Sequence, residues 1–171
     1  RIAVARFAQP ISGLQSLTRR CRAARLLAVE ARLVLADLLI GWGARLRDSE
    51  LLTMARDEAD QAAKGLDTAY EPLSWARAMA LRGQAVALLG EVDGEVEVLA
   101  QAVGDLAEVV SELSREQSPL DWARTQTALA QGLQALGEAG GSERAYEQAV
   151  TCYDRAAHVL KKVPSLSLRA F

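Results

Sequence analysis

The chain has 171 residues, half of them hydrophobic, and 20 basic against 22 acidic side chains give a net charge of −2. That length suits one domain or one block of an array, and the moderate, mixed charge excludes a disordered polyelectrolyte. Aromatics are few and Ala and Leu carry the apolar content, which favours helices over sheets.

Along the chain the charge is uneven. Residues 1–47 hold nine Arg against Glu30 and Asp37, a balance of +7, whereas residues 48–118 hold five basic and fifteen acidic groups, a balance of −10. The remainder sits at +1. Such asymmetry can steer a partner or favour head-to-tail contacts between copies. Cys21 and Cys152 are far apart and belong to no CxxC or Cys/His cluster, which points to a reducing, cytoplasmic setting rather than a disulfide framework. The most apolar stretch, Leu26 to Gly43, is interrupted by Glu30, Arg32 and Asp37, so no membrane span is expected. The first residue is Arg1 rather than Met, and the chain reads as a fragment of a longer protein.

The first predicted element is a helix around Gly13–Arg20, its start limited by Pro10. The run "RRCRAAR" (19–25) follows as the only basic cluster. It lacks interleaved aromatics and any known docking motif, so nucleic acid is not the expected partner. Three helix pairs come next. The spacing predicts helices over Arg22–Leu46 and Ser49–Thr68, then over Leu73–Glu91 and Glu95–Glu116. The third pair opens at Ser118-Pro119-Leu120-Asp121, with Ser as N-cap and Pro at the first helical position. Trp122, Gln126, Leu129, Leu133 and Leu136 then recur at helical spacing until Gly137. "GEAGGS" (137–142) reads as the connection, Ser142 as the next N-cap, and Pro164 as the end of the last helix.

The pairs are copies of one unit. Sliding residues 119–165 back by 47 onto 72–118 gives fifteen identities without a gap, "PLSWAR" (72–77) falling on "PLDWAR" (119–124). Gln84/Gln131, Gly90/Gly137, Gly94/Gly141 and Val103/Val150 also coincide. A weaker copy precedes them at the same offset, with Gly43 on Gly90 and Leu52 on Leu99. The expected repeats are therefore 25–71, 72–118 and 119–165. Helix pairs of constant length cannot each bury an apolar face alone, so they are expected to stack as an all-α solenoid. Pro-Leu-x-Trp-Ala would mark where each unit turns back, wedging a ring against the preceding unit's second helix.

"PLDWARTQTALAQGLQALGE" and "YEQAVTCYDRAA" resemble the tetratricopeptide (TPR) superfamily in its longer-period bacterial variety. Ala149, Tyr153 and Ala156 fall where its second helix has small, aromatic and small residues, and Leu129-Ala130 and Leu133 match its first. The middle copy departs, with Arg82 in place of a Leu and Leu106 for the aromatic; the first has Ala59 there. The resemblance implies an α-α superhelix of about three helix-turn-helix repeats plus an N-terminal helix. It also implies a concave groove lined by the first helix of each pair. Arg77, Gln84, Arg124, Thr127, Gln131 and Gln134 would face that groove, with Glu30 and Asp37 at the first-copy positions.

Two readings of the repeated Arg and Gln stay open. They recognise an extended peptide, Gln through its amides and Arg through carboxylates. Alternatively they bridge neighbouring units. Trp75, Trp122 and Trp42 read as core anchors. The acid-rich middle lacks the spaced oxygen ligands of a calcium loop, and "GEAGGS" follows a helix and lacks the Lys-Ser/Thr of a phosphate cradle. His158 has no ligand or triad companions, so neither enzyme, metal nor cofactor chemistry is expected. The expected function is a scaffold that binds a peptide or protein segment. The alternative is self-assembly, in which the basic beginning of one chain meets the acidic middle of another and open ends stack. Leu166, Leu168 and Phe171 follow Pro164 as if another unit should begin.

Overall fold

A computed structural model describes residues 12, 13, 16 and 25–162. Among them there are six long helices and no strand: α1 (Arg25–Leu46), α2 (Ser49–Lys64), α3 (Pro72–Asp93), α4 (Val96–Glu112), α5 (Pro119–Gly140) and α6 (Glu143–Lys162). The chain is all-α. Of the N-terminal helix expected over 13–20, only Gly13 and Ser16 are described, both helical. The rest of that helix, the basic cluster before Arg25, Cys21 and the residues after 162 lie outside the described residues.

The helices form three hairpins in chain order, each helix packing on the one before and the one after it. The first helices of the hairpins, α1, α3 and α5, also touch in succession. Five helix ends have clear chemical causes. Asp48 caps α2, its carboxylate accepting from the Glu50 and Leu51 amides at 3.0 and 3.1 Å. Pro72 and Pro119 start α3 and α5, where a missing N–H costs nothing. Gly94 and Gly141 end α3 and α5 in the left-handed region, at φ 74° and 63°. At the equivalent place after α1 stands Arg47, also left-handed at φ 49°.

Three boundaries and one cap differ from expectation; α4 stops at Glu112 rather than Glu116. α2 stops at Lys64 rather than Thr68, because Gly65 and Leu66 fold back onto the Ala62 and Ala63 carbonyls and Glu71 Oε2 accepts from the Asp67 amide. α5 runs past Gly137 to Gly140. Gly137 is a contact residue inside the helix: a methyl there would stand 3.1 Å from the Tyr146 ring. Ser118 occupies the N-cap position without capping; its hydroxyl donates instead to Asp121 Oδ2 at 2.6 Å.

The core runs between the helices as four apolar clusters. Leu33, Leu35, Leu39, Leu52, Leu99 and Leu106 are all at most 1% exposed. Removing any of their side chains down to Ala should cost about 2–5 kcal/mol. Trp122 wedges as expected, buried among Val109 of α4, Leu113 just past its end, and Ala156 and Val159 of α6, with the Arg115 guanidinium 5.6 Å above its ring. Trp75 is only half-buried and packs against that same cluster, which contains no residue of α2. The two equivalent rings therefore sit in different surroundings.

Candidate functional site

Because α1, α3 and α5 touch in succession, residues one repeat apart become neighbours across helices. The offset of 47 that aligns the sequence is thus also a contact rule. Arg77 Nη1 lies 3.4 Å from both carboxylate oxygens of Glu30, 47 residues earlier. Gln84 Nε2 donates to Gln131 Oε1 at 3.4 Å, 47 residues later. Two polar rows cross the three helices: Glu30, Arg77 and Arg124 form one, and Asp37, Gln84 and Gln131 the other.

Between these rows lies a cavity of about 420 Å³. Arg77, Gln84, Arg124, Thr127 and Gln131 all line it, as does Asp37. Gln134 does not. It sits farther along α5, donating to Glu138 Oε1 at 3.0 Å and accepting from the Tyr153 hydroxyl at 3.4 Å. Glu30 stays outside the lining and acts through Arg77.

The two arginines have different occupations. Arg77 is held on both sides, by Glu30 at 3.4 Å and by Asp121 at 3.5 Å. Such half-exposed pairs contribute little stability, at most about 1 kcal/mol each, yet they fix where the guanidinium points. Arg124 is exposed, and no ion pair or side-chain hydrogen bond reaches it from the described residues. Asp37 is likewise exposed and unpaired. The groove therefore offers one free cation, one free anion and two amides, with the middle cation already neutralised. Thr127 spends its hydroxyl proton on the Ala123 carbonyl at 2.9 Å, which leaves its oxygen able only to accept.

The floor was not anticipated from sequence. Leu33, Val34, Ala80, Leu81 and Ala128 line the same cavity, and Asp121 and Leu160 close one side. The signal existed: Leu33, Ala80 and Thr127 share one register position, and Val34, Leu81 and Ala128 the next. Asp121 stands one turn before Arg124, and its helix-start role hid its part in holding Arg77.

A second cavity of about 440 Å³ lies at the start of α3, lined by Pro72, Trp75, Glu108, Glu112 and Gln117 among others. It gathers none of the repeated Gln side chains. Among the described residues there is no group of three or more potential metal ligands, and no helix is long and apolar enough to cross a membrane. Cys152 is a buried free thiol whose pKa burial pushes up, Arg155 offsetting part of the rise. A thiol so placed is a poor nucleophile at neutral pH.

Comparison of the chain with protein-family models, with curated proteins and with solved structures finds no match.

Proposed function

We propose that the chain is a TPR-like helical-repeat module that receives an extended peptide segment in the groove across α1, α3 and α5. The observation that carries this reading is the 420 Å³ cavity, where five of the six polar residues singled out from sequence meet over an apolar floor. The chemistry of the lining suits a peptide rather than a reaction. Amide side chains can pair with a backbone that has both donors and acceptors, and an apolar floor rewards burial of alternate side chains. No nucleophile, base and oxyanion donor converge there, so no catalytic role is assigned.

Within this reading Arg77 is scaffolding and Arg124 is the recognising cation. Arg77 has its charge satisfied by two carboxylates, and freeing it for a ligand would leave Glu30 and Asp121 without their cation. Arg124 loses only water on binding, and its planar fork matches a peptide carboxylate.

The test is selection of peptides from a random displayed library against the chain, followed by binding to variants. Arg124→Ala with Gln131→Ala is expected to weaken the selected peptides by about a hundredfold, the loss of two polar contacts of ~1.5 kcal/mol each. Melting should barely move, since both residues are exposed. Peptides that bind the double variant as well as the wild type would place recognition outside the groove.

A further inference from the structure

Among the described helices, the first and the last, α1 and α6, each carry exposed apolar side chains on one face, and the repeat itself shows what fits there. Inside the molecule, Val103 of α4 packs against α5 so closely that a methyl on Gly132 would stand 3.1 Å from it. Leu113, which caps the end of α4, is 5% exposed beside Trp122. One repeat later on α6, Val150 and Leu160 take those places and are 59% and 47% exposed. At the other end, the face that α5 buries with Ala128 and Gly132 corresponds to Val34 and Leu38 on α1. Those two are 48% and 38% exposed. The open face of α6 and the open face of α1 are thus the two halves of an interface already present between α4 and α5.

We infer that a second copy of the chain docks head-to-tail, with its α1 seated on α5 and α6 of the first and continuing the stack. Charge selects this arrangement. The rows that cross the groove step by one repeat from helix to helix, Glu30 to Arg77 and Gln84 to Gln131. Carried one step further onto the next copy, they place its Glu30 opposite Arg124 and its Asp37 opposite the Gln131 amide. Arg124 and Asp37 are the unpaired charges of their rows, and the contact supplies each with a complementary group. A face-to-face pairing of two α1 helices would instead set Glu30 and Asp37 against their own copies, which like charges disfavour.

The junction is weaker than the internal one. Leu38 stands where α5 has Gly132, so the helices meet through side chains rather than at the closest backbone approach. Association is therefore reversible, and because the contact is heterologous and does not close, mass grows with concentration. The exposed charge pair makes added salt weaken it.

Sedimentation velocity on the full chain tests this, using Val150→Glu to block one end and Leu38→Glu to block the other. Both residues are exposed and outside the groove lining, so folding should stay as in the wild type, and peptide capture should be at least as strong, because the junction takes up the Arg124 and Gln131 that a peptide would use. The wild type is expected to rise past dimer mass with concentration. Each variant alone should remain monomeric, and an equal mixture should form a dimer and stop there, because each variant keeps the half the other lacks. Arg124→Glu should weaken wild-type association by about tenfold. A wild type monomeric at every concentration, self-association of either variant alone, or a mixture that stays monomeric would overturn the inference.

Discussion

Gln126 shows how one buried side chain departs from the repeat's logic. It is 2% exposed, and its Oε1 has no hydrogen-bond partner. The same register position holds Met79 in the second repeat and Arg32 in the first, where the guanidinium pairs with Glu58 of α2. In the third repeat the facing position is Cys152 rather than an acid, so an amide was placed where nothing answers it. A buried polar atom left unpaired costs about 1–3 kcal/mol. Gln126→Met keeps the volume and removes the orphan, and it is expected to stabilise the fold by about 1 kcal/mol, raising Tm by roughly 2–4 °C in a chain of this size. Calorimetry decides, since a lower Tm would mean that Oε1 is satisfied in solution. Sequence alone gave no warning here, because Gln126 at helical spacing reads as part of the apolar face without revealing what lies opposite.

Each hairpin closes through a glycine. Gly43, Gly90 and Gly137 face Leu52, Leu99 and Tyr146, all at the repeat offset. A methyl at Gly90 would stand 2.9 Å from Leu99 Cγ, 3.0 Å from its backbone nitrogen and 3.2 Å from the Glu95 carbonyl oxygen. Backbone atoms of the turn cannot swing aside as a side chain can, so α3 and α4 would have to move apart. Gly90→Ala should therefore destabilise by about 1–3 kcal/mol despite its better helix propensity. Gly104, exposed on α4 with nothing within 4 Å of its added methyl, is the control: Ala there should stabilise by up to about 1 kcal/mol. Urea denaturation of the pair gives opposite signs if close approach is the cause, and the same sign if propensity governs both. The recurrence of the glycines was legible in the sequence, but not their role. Gly137 read as a helix end because a glycine after periodic leucines usually is one.

Across the whole molecule, hairpins are joined by packing and by a few ion pairs that cross the joins. Arg82, like Arg77, has two partners, pairing with Asp60 of α2 at 2.9 Å and Asp105 of α4 at 3.1 Å. It occupies the register position of Leu35 and Leu129, so what resembled a defect in the family pattern is a polar strut between the first two hairpins. Arg82→Ala leaves two partly buried carboxylates without their cation and should cost about 1–3 kcal/mol. Hydrogen exchange should then show α1 and α2 opening at lower free energy than α5 and α6, because the strut joins only the front of the stack. Uniform loss of protection along the chain would mean that the hairpins unfold as one unit irrespective of that bridge.

The sequence by itself determined the helices, their pairing and the repeat offset, because periodicity, proline starts and glycine ends are local and recur at fixed spacing. It also singled out Arg77, Gln84, Arg124 and Gln131, since apolar packing does not explain why polar residues return in register, while Thr127 and Gln134 were expected in the groove only through the family resemblance. Only the tertiary structure decided that Arg77 is clamped while Arg124 is free, that Gln134 turns aside to Glu138 and Tyr153, and that Trp75 and Trp122 have different neighbours. The reason is physical: a repeat fixes which positions are equivalent, but the charge or volume facing each one comes from the adjacent helix, whose sequence differs from copy to copy.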